Sequence, residues 1–172
     1  MSFCLIILAG GNSHRFKSKI GKPYQKIAGK SLIQINVDKA RLFKQIKKIV
    51  IVYNKKDTKL VKSLKLKNVQ LVVGGKTRQK STYNALKYLM RKKNISKVLI
   101  HDAARPNFSS KLFNLIINKM KNSRAVIPKI NIQDAVKQKI ESSKEEYIIG
   151  KKRNKLFLTQ TPQAFNLKEI YQ

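Results

Sequence analysis

The sequence has few of the residues that usually cross-link a protein or bind metals. Its 172 residues include one cysteine, Cys4, and two histidines, His14 and His101. A single thiol excludes an intrachain disulfide framework and a multi-cysteine zinc site, and two histidines exclude a histidine-rich metal cluster. Stability must therefore come from a hydrophobic core, for which 42% hydrophobic residues are sufficient. The length predicts one domain over residues 1–172.

Long hydrophobic runs are also missing. The most apolar stretch, residues 3–9, is much shorter than the roughly 20 residues that a membrane-spanning helix needs. It has no basic residue before it and runs directly into Gly10 and Gly11, which disfavours a signal peptide. We expect no membrane association and a cytoplasmic location, where a lone thiol is ordinary.

The sequence also has few acidic residues. The chain has 39 lysines and arginines against 8 aspartates and glutamates, a net charge of +31. These basic residues are spread along the whole chain, and no zinc finger or aromatic-rich RNA-binding strand accompanies them, which disfavours a nucleic-acid partner. A solvated lysine-rich surface is the simplest interpretation, and a small polyanionic substrate gives a further reason for the positive charge.

Short apolar runs alternate with amphipathic stretches. Strands are predicted at residues 3–9, 48–53, 69–73, 97–101, 124–127 and 156–161. Helices are predicted from Ser31, at residues 57–64, 78–92 and 109–121, and from Asn166. This alternation predicts an α/β fold with a mostly parallel sheet and right-handed crossovers. The polar segment 131–155 interrupts the alternation and predicts either a two-stranded arm that leaves the sheet or a disordered insertion.

Within the predicted helix at residues 78–92, the apolar side chains at helical spacing are those expected on one side. They are Tyr83, Leu86, Leu89 and Met90.

The unusual loops all follow predicted strands. In a parallel sheet, ligands bind outside the carboxyl ends of the strands. The first loop holds Gly10 and Gly11, whose backbone N–H groups can approach a phosphate, with Arg15 and Lys22 as nearby cations. The spacing excludes both GxGxxG and a P-loop, because Asn12 and Tyr24 stand where glycines are required. A tight turn with a surface arginine is the alternative.

The second loop, residues 74–81, places Gly74 and Gly75 at a strand end and Ser81 in the next helix. Such a loop can offer N–H, C=O and O–H groups to a base edge, or it can be a flexible connection.

The third loop places a carboxylate, Asp102, at a strand end, where it can hold Mg²⁺ against phosphate oxygens. Arg105 can bind a second phosphate through a bidentate fork. His101 fits a packed structural histidine better than a base. Transfer to a phosphate nucleophile needs no general base, because the attacking oxygen is already anionic.

These loops resemble those of the 2-C-methyl-D-erythritol 4-phosphate cytidylyltransferase family of the non-mevalonate isoprenoid pathway. Residues 101–106 match its His-Asp-Ala-Ala-Arg-Pro signature, residues 74–81 its cytosine-reading loop, and residues 160–165 its Gln-Thr-Pro-Gln-x-Phe element. Residues 9–16 and 21–24 match its phosphate loop and the lysine that follows. The resemblance implies a Rossmann-like three-layer nucleotidyltransferase fold with a protruding β-arm.

Specific roles follow from the resemblance. Arg15 and Lys22 would be catalytic, stabilising charge on the α-phosphate of CTP. The implied CTP-binding residues are Ala9, Gly10, Gly11, Gly75, Ser81 and Ala103. The implied residues for the polyol phosphate are Asp102, Arg105, Arg153 and Thr161. Asp102 would also bind Mg²⁺ or another divalent cation. An arm, here residues 131–155, would reach into a second subunit and bring Arg153 to its site, which implies a homodimer.

The sequence departs from the family pattern at three places. Ser13 replaces a usual glycine, and Ala135 replaces the threonine of an Asp-Thr pair, which removes one hydroxyl contact to methylerythritol. The chain also ends soon after Gln-Thr-Pro-Gln-x-Phe, and we expect either a shortened protein or a piece of a longer one, such as a fusion with a cyclase domain. A cytidylyltransferase for another polyol phosphate, such as ribitol phosphate, and an inactive basic binding protein remain alternatives.

Overall fold

A computed structural model of the chain describes residues 1–11, 18, 20–92, 94–141 and 146–172. The strands in this part are β1 (Phe3–Ala9), β2 (Lys26–Ile27), β3 (Lys30–Ser31), β4 (Ile46–Tyr53), β5 (Gln70–Val73), β6 (Lys97–Asp102), β7 (Ala125–Val126), β8 (Lys129–Asn131), β9 (Val136–Glu141), β10 (Glu146–Lys151), β11 (Phe157–Thr159) and β12 (Gln163–Asn166). The α-helices are α1 (Leu32–Arg41), α2 (Thr58–Ser63), α3 (Arg78–Met90), α4 (Ser110–Lys119) and α5 (Leu167–Tyr171).

Within the described residues, the central sheet has six strands in the order β5–β4–β1–β6–β12–β7. Strand β1 lies in the middle and runs parallel to β4 and β6, and β4 runs parallel to β5. Strand β12 runs antiparallel to both β6 and β7. The α/β fold with a mostly parallel sheet is therefore confirmed, and the carboxyl ends of β1, β4, β5 and β6 share one edge.

Two hydrophobic layers sandwich this sheet, because successive side chains of a strand point to opposite faces. Leu5 and Ile7 belong to a cluster with buried residues of α1, α2 and α4. Cys4 and Ile6 belong to a second cluster with buried residues of α3 and α5. The result is a three-layer α/β/α arrangement. Cys4 is fully buried in this core, and burial raises the pKa of its thiol.

Helix α1 begins where the sequence places it. The Ser31 hydroxyl accepts the backbone N–H of Gln34 at 3.2 Å, and the Gln34 side chain accepts the backbone N–H of Ser31 at 2.8 Å. This reciprocal pair is a capping box, which satisfies two backbone donors at the helix start.

The structure differs from the sequence pattern in two details. In α3 the buried residues are Ser81, Ala85, Leu86 and Leu89, whereas Tyr83 and Met90 are exposed. Tyr83 stacks instead on Tyr171 of α5, with ring centroids 5.6 Å apart. This side of α3 therefore contacts a neighbouring helix as well as the core.

The predicted last strand at residues 156–161 also differs. Only Phe157–Thr159 is extended there, and it pairs with β8 outside the central sheet. The remaining strand of the central sheet is β12, which the sequence did not indicate. This four-residue segment, Gln163–Asn166, is too short and too polar to show a periodic pattern. It is a strand because it pairs with β6.

Segment 131–155 contains the expected two-stranded arm. Strands β9 and β10 pair antiparallel with each other and form a separate two-stranded sheet. The pairing argues against a wholly disordered insertion. No helix in the described part of the chain is long and apolar enough to span a membrane.

Candidate active site

The three loops singled out by sequence meet at the carboxyl edge of the central sheet. They follow β1, β5 and β6, and with the segment after β4 they surround a cleft of about 1270 Å³. The described residues that line it are Leu8, Gly10, Gly11, Lys22, Pro23, Asn54, Lys55, Gly74, Gly75, Lys76, Thr77, Arg78, Ser81, Asp102, Ala104 and Arg105. The parallel topology thus gathers residues that are far apart in sequence.

The first loop contributes two glycines and a lysine. A Cβ on Gly10 would lie 3.5 Å from the backbone nitrogen of Asn54, so this turn packs closely on the segment after β4. Lys22 opens a short 3₁₀ turn, Lys22–Tyr24, which Tyr24 anchors in the core. Lys22 therefore lines the cleft from a backbone turn that is packed against the core. Arg15, the other predicted catalytic cation, lies outside the described residues.

The second loop is held by the first turn of α3. Ser81 Oγ accepts the backbone N–H of Gly75 at 3.0 Å and donates to the Gly75 carbonyl at 3.3 Å. The backbone N–H of Gly74 donates to the carbonyl of Tyr53 at 2.8 Å, which ties the loop to β4. A Cβ on Gly75 would lie 2.6 Å from Lys80 Cβ, and only glycine fits there without displacement.

The third loop places Asp102 between two guanidinium groups. Asp102 Oδ1 lies 3.3 Å from Arg78 Nη2, and Asp102 Oδ2 lies 3.3 Å from Arg105 Nε. The Arg105 guanidinium also donates to the Gln160 side chain. The carboxylate retains 31% exposure, so it faces the cleft and remains accessible.

Sequence reasoning missed several lining residues, among them Asn54, Lys55, Lys76 and Arg78. Asn54 and Lys55 follow β4, whose carboxyl end lies at the same edge, so the rule that flagged the other loops also applied there. Lys76 and Arg78 lie inside a loop that the sequence did flag, but their charge was not assigned a role. Among the described lining residues, five cationic side chains face one carboxylate.

Three predicted site residues lie behind the cleft surface. Ala9 and Ala103 are fully buried, and the Ala103 N–H donates to the Leu8 carbonyl at 3.0 Å. Thr161 is 8% exposed, with its Oγ 3.0 Å from His101 Nδ1 and 3.4 Å from the backbone nitrogen of Asp102. These three residues support the turns.

Buried His101 lies directly beneath the third loop. Its Nε2 is 2.8 Å from the Arg105 carbonyl oxygen and 3.0 Å from Asn36 Oδ1. Burial lowers the pKa of His101 to about 4, although its bond to the Arg105 carbonyl and the Asp102 charge act in the opposite direction. The imidazole is neutral at pH 7, which fits the packed structural histidine.

Arg153 is not among the residues that line the cleft. It lies in a short 3₁₀ turn just after β10, and its guanidinium donates to the backbone carbonyl of Gln133. With Asn131 and Ile132 it lines a separate cavity of about 470 Å³. Within one chain, then, Arg153 does not join the other predicted substrate residues.

The donor set restricts how a metal can bind. Among the described residues lining the cleft, Asp102 is the single carboxylate, and no cluster of three or more potential metal ligands occurs in the described part of the chain. Mg²⁺ commonly takes one or two carboxylates and fills its other positions with phosphate oxygens and water. Asp102 therefore fits a Mg²⁺ ion that arrives with a nucleotide.

The sequence and the fold both match known proteins. The family model IspD: 2-C-methyl-D-erythritol 4-phosphate cytidylyltransferase matches residues 3–172. The chain belongs to this family. An IspD-family relative from Thermosipho melanesiensis, named 2-C-methyl-D-erythritol 4-phosphate cytidylyltransferase, is 35% identical over 175 residues, which are 96% of this chain and 74% of that protein.

A second IspD-family relative is longer. The protein named bifunctional enzyme IspD/IspF from Pelagibacter ubique is 48% identical over 172 residues, and the chain spans 45% of its length. Among solved structures, 4-diphosphocytidyl-2C-methyl-D-erythritol synthase from Anaerococcus prevotii matches with a TM-score of 0.79 and 33% identity, covering 99% of this chain and 72% of that one. The structural match confirms the Rossmann-like nucleotidyltransferase fold of this IspD-family chain.

Proposed function

We propose that this IspD-family chain transfers the cytidylyl group of CTP to 2-C-methyl-D-erythritol 4-phosphate in isoprenoid precursor synthesis. The products are a CDP-linked polyol and pyrophosphate. The observation that carries the proposal is the cleft itself, where two glycine-containing turns, five cations and one carboxylate surround a single space. Two polyanionic substrates that react with each other need such a concentration of positive charge. The names of the relatives support the choice of substrates.

The proposed reaction is a substitution at phosphorus. A phosphate oxygen of the acceptor attacks the α-phosphorus of CTP, and the bond from that phosphorus to the oxygen bridging to the β-phosphate breaks. Pyrophosphate leaves with the electron pair. The attacking oxygen is already anionic, so no side chain has to remove a proton. Catalysis then depends on positioning and on fixed positive charge, with Lys22 and Arg15 as the proposed stabilising cations.

The site residues divide between the two substrates in this proposal. The loop at Gly75 and Ser81 reads cytosine, and the backbone at Gly10 and Gly11 approaches the phosphates. Ala9 and Ala103, buried behind the cleft surface, support the turns that contact the nucleotide. The acceptor lies near Asp102, Arg105 and Thr161.

We also propose a role for Mg²⁺, or another divalent cation, that is bound together with CTP. Asp102 would hold it with phosphate oxygens, and the ion would neutralise charge on the triphosphate and the leaving pyrophosphate. For the compartment we propose the cytoplasm, where the single buried thiol of Cys4 stays reduced.

A homodimer completes the proposal. The arm and its base expose large apolar side chains that a second copy can cover: Ile130, Ile140, Ile148, Ile149, Phe157 and Leu158. Because Arg153 lies outside its own cleft, we propose that it binds the acceptor phosphate in the neighbouring subunit.

A complementation experiment tests this exchange of Arg153. Arg153→Ala and Lys22→Ala chains are each inactive in the proposal, but a hybrid dimer has one site with both residues intact. Random mixing should restore about a quarter of wild-type turnover, since half of the dimers are hybrids. Activity that stays at the level of the separate variants contradicts a role in trans.

Substrate selectivity tests the function directly. Pyrophosphate release should require both CTP and 2-C-methyl-D-erythritol 4-phosphate, and ribitol 5-phosphate should be the poorer acceptor. CTP with Mg²⁺ should raise the melting temperature more than UTP or ATP, because a ligand at about 100 times its Kd stabilises by about 2.7 kcal/mol.

A pair of serine variants provides the control for the thermal shift. Ser81→Ala should reduce the CTP-specific shift, while Ser63→Ala, an exposed serine of α2, should leave it unchanged. Equal shifts with all three nucleotides contradict the cytosine site. Faster turnover with ribitol 5-phosphate favours the alternative acceptor, for which the missing hydroxyl at Ala135 is the motivation. Absence of turnover together with tight duplex binding at about 150 mM salt favours a binding protein.

A further inference from the structure

A chain of buried hydrogen bonds joins helix α1 to the turn that carries Asp102. Asn36 Nδ2 donates to the carbonyl oxygen of Leu32 at 2.8 Å and to that of Ala103 at 2.9 Å. Both partners can only accept, which fixes the amide orientation, so the opposite atom, Oδ1, faces His101. Asn36 has no accessible surface, so bulk water does not compete for these bonds.

The partners of His101 determine which ring nitrogen carries the proton. Nε2 faces the Arg105 carbonyl oxygen and Asn36 Oδ1, which both accept, so Nε2 is the N–H. In the neutral ring Nδ1 is then an acceptor, and the Thr161 hydroxyl, 3.0 Å away, donates to it. A lone pair on Thr161 Oγ remains for the backbone N–H of Asp102.

We propose that His101 is a positioning residue for cytidylyl transfer. Its two nitrogens hold both ends of one turn: Nε2 holds the Arg105 backbone, and Nδ1 holds Thr161 and, through it, the Asp102 backbone. His101 itself is fully buried and is absent from the residues lining the cleft, so it acts through its neighbours. The kinetic consequence rests on the proposed function, whereas the tautomer and the rigidity of the turn do not.

The surroundings of the ring limit its rotation. Phe108 packs edge-on against His101, with ring centroids 4.9 Å apart and an interplanar angle of 81°. Lys39 Nζ in turn donates to the Pro106 carbonyl at 2.8 Å, which fixes the chain just beyond the turn. A fixed imidazole therefore transmits the position of α1 to Asp102 and Arg105, and misplacing such groups by about 1 Å can cost 100-fold in rate.

Kinetics of three His101 variants test the proposal. His101→Phe keeps an aromatic ring against Phe108 and removes both nitrogens. We expect kcat to fall ~10- to 100-fold, with KM for CTP within ~3-fold, because the loop at Gly75 is not held by His101. His101→Gln places an amide near the Nε2 position and His101→Asn near the Nδ1 position. Each should recover part of the lost kcat.

A destabilising core variant controls for general loss of structure. Leu89→Ala opens space in the hydrophobic cluster under α3 and α5, on the sheet face opposite to His101. It should therefore lower the melting temperature without lowering kcat in the folded protein. Wild-type kcat in folded His101→Phe overturns the proposal. An equal fall of kcat in Leu89→Ala overturns it as well.

Nuclear magnetic resonance gives a readout that needs no turnover. The ¹⁵N shifts of the His101 ring should show a protonated Nε2 and an unprotonated Nδ1 at neutral pH. His101→Phe should accelerate amide exchange at Asp102 at least ~10-fold while the Ile100 amide stays protected. A protonated Nδ1, or unchanged exchange at Asp102, contradicts the positioning role. Absence of turnover in the unaltered chain contradicts the proposed function instead, and the two failures are therefore distinct.

Discussion

Lys22 is the described cation that the proposed chemistry depends on most. Lys22→Gln removes the charge and keeps most of the side chain length. We expect kcat to fall about 100-fold, because loss of one pre-placed charge-stabilising group typically raises the barrier by about 3 kcal/mol. The Kd of CTP should change much less. Lys26→Gln, at an exposed position four residues later, is the matched control. Equal losses in the two variants would mean that net charge, and not position, matters.

The lowered pKa of His101 predicts how stability depends on pH. An unfolded histidine has a pKa of 6.5, and the folded value is about 4, so the unfolded chain binds more protons between these values. The free energy of unfolding should therefore fall as pH drops from 6.5 to 4, by about 3 kcal/mol from this group, and this contribution is constant above pH 6.5.

Denaturant unfolding of wild type and His101→Gln at about pH 7.5 and about pH 4.5 checks the prediction. The stability difference between the two proteins should shrink at the lower pH. A difference that stays constant would show that His101 does not titrate on unfolding.

The placement of individual site residues was predictable where a sequence motif identified them. Asp102 and Arg105 were assigned from a six-residue signature, and they do lie together at the cleft. The bond network beneath them was not predictable, because Asn36 and Thr161 lie 65 and 60 positions from His101 in sequence. Only the fold brings such partners together.

At the scale of single elements, the loop between β5 and α3 makes the sharpest prediction. Gly75→Ala places a Cβ 2.6 Å from Lys80 Cβ, so the first turn of α3 must shift. We expect a loss of about 1 to 3 kcal/mol of stability, by analogy with overpacked cores, and weaker CTP binding. Gly11→Ala is the stability control, because a Cβ there meets no atom of the described residues within 4 Å. Thermal unfolding of both variants is the measurement, and equal melting temperatures would contradict the steric argument.

Elements with a strong hydrophobic pattern were predicted well. Strand β1 was predicted at its observed bounds, and the capping box placed the start of α1. Strand β12 was missed because its pairing with β6, and not its own sequence, makes it a strand. The sequence pattern grouped Tyr83 with Leu86 and Leu89 on one side of α3. It did not show that Tyr83 packs on α5, because α5 is too short to suggest a contact from sequence.

At the scale of the whole molecule, the proposed homodimer depends on the arm. Ile148 and Ile149 are neighbours on β10 and point to opposite faces of the two-stranded ribbon, yet they are 61% and 46% exposed. If a second chain covers this arm, Ile148→Asp should shift the protein toward monomers, because it buries an unpaired charge. Leu115→Asp, at an exposed apolar position of α4 away from the arm, introduces the same charge and is the matched control.

Sedimentation velocity across a range of protein concentrations measures the shift. A dimer that persists in Ile148→Asp would move the interface away from that position, and a wild-type protein that stays monomeric would contradict the dimer. Composition could not have located this surface, because only the structure shows which apolar side chains are left outside the two cores.

Positively charged side chains outnumber the single carboxylate among the described residues that line the cleft, so we expect the cleft to bind anions in general. Phosphate, sulfate or citrate in a buffer will compete with CTP for the same side chains, so the measured affinity reflects the solution as well as the nucleotide. Titrations in a non-coordinating zwitterionic buffer and in phosphate at equal ionic strength will therefore give different apparent constants for the same protein.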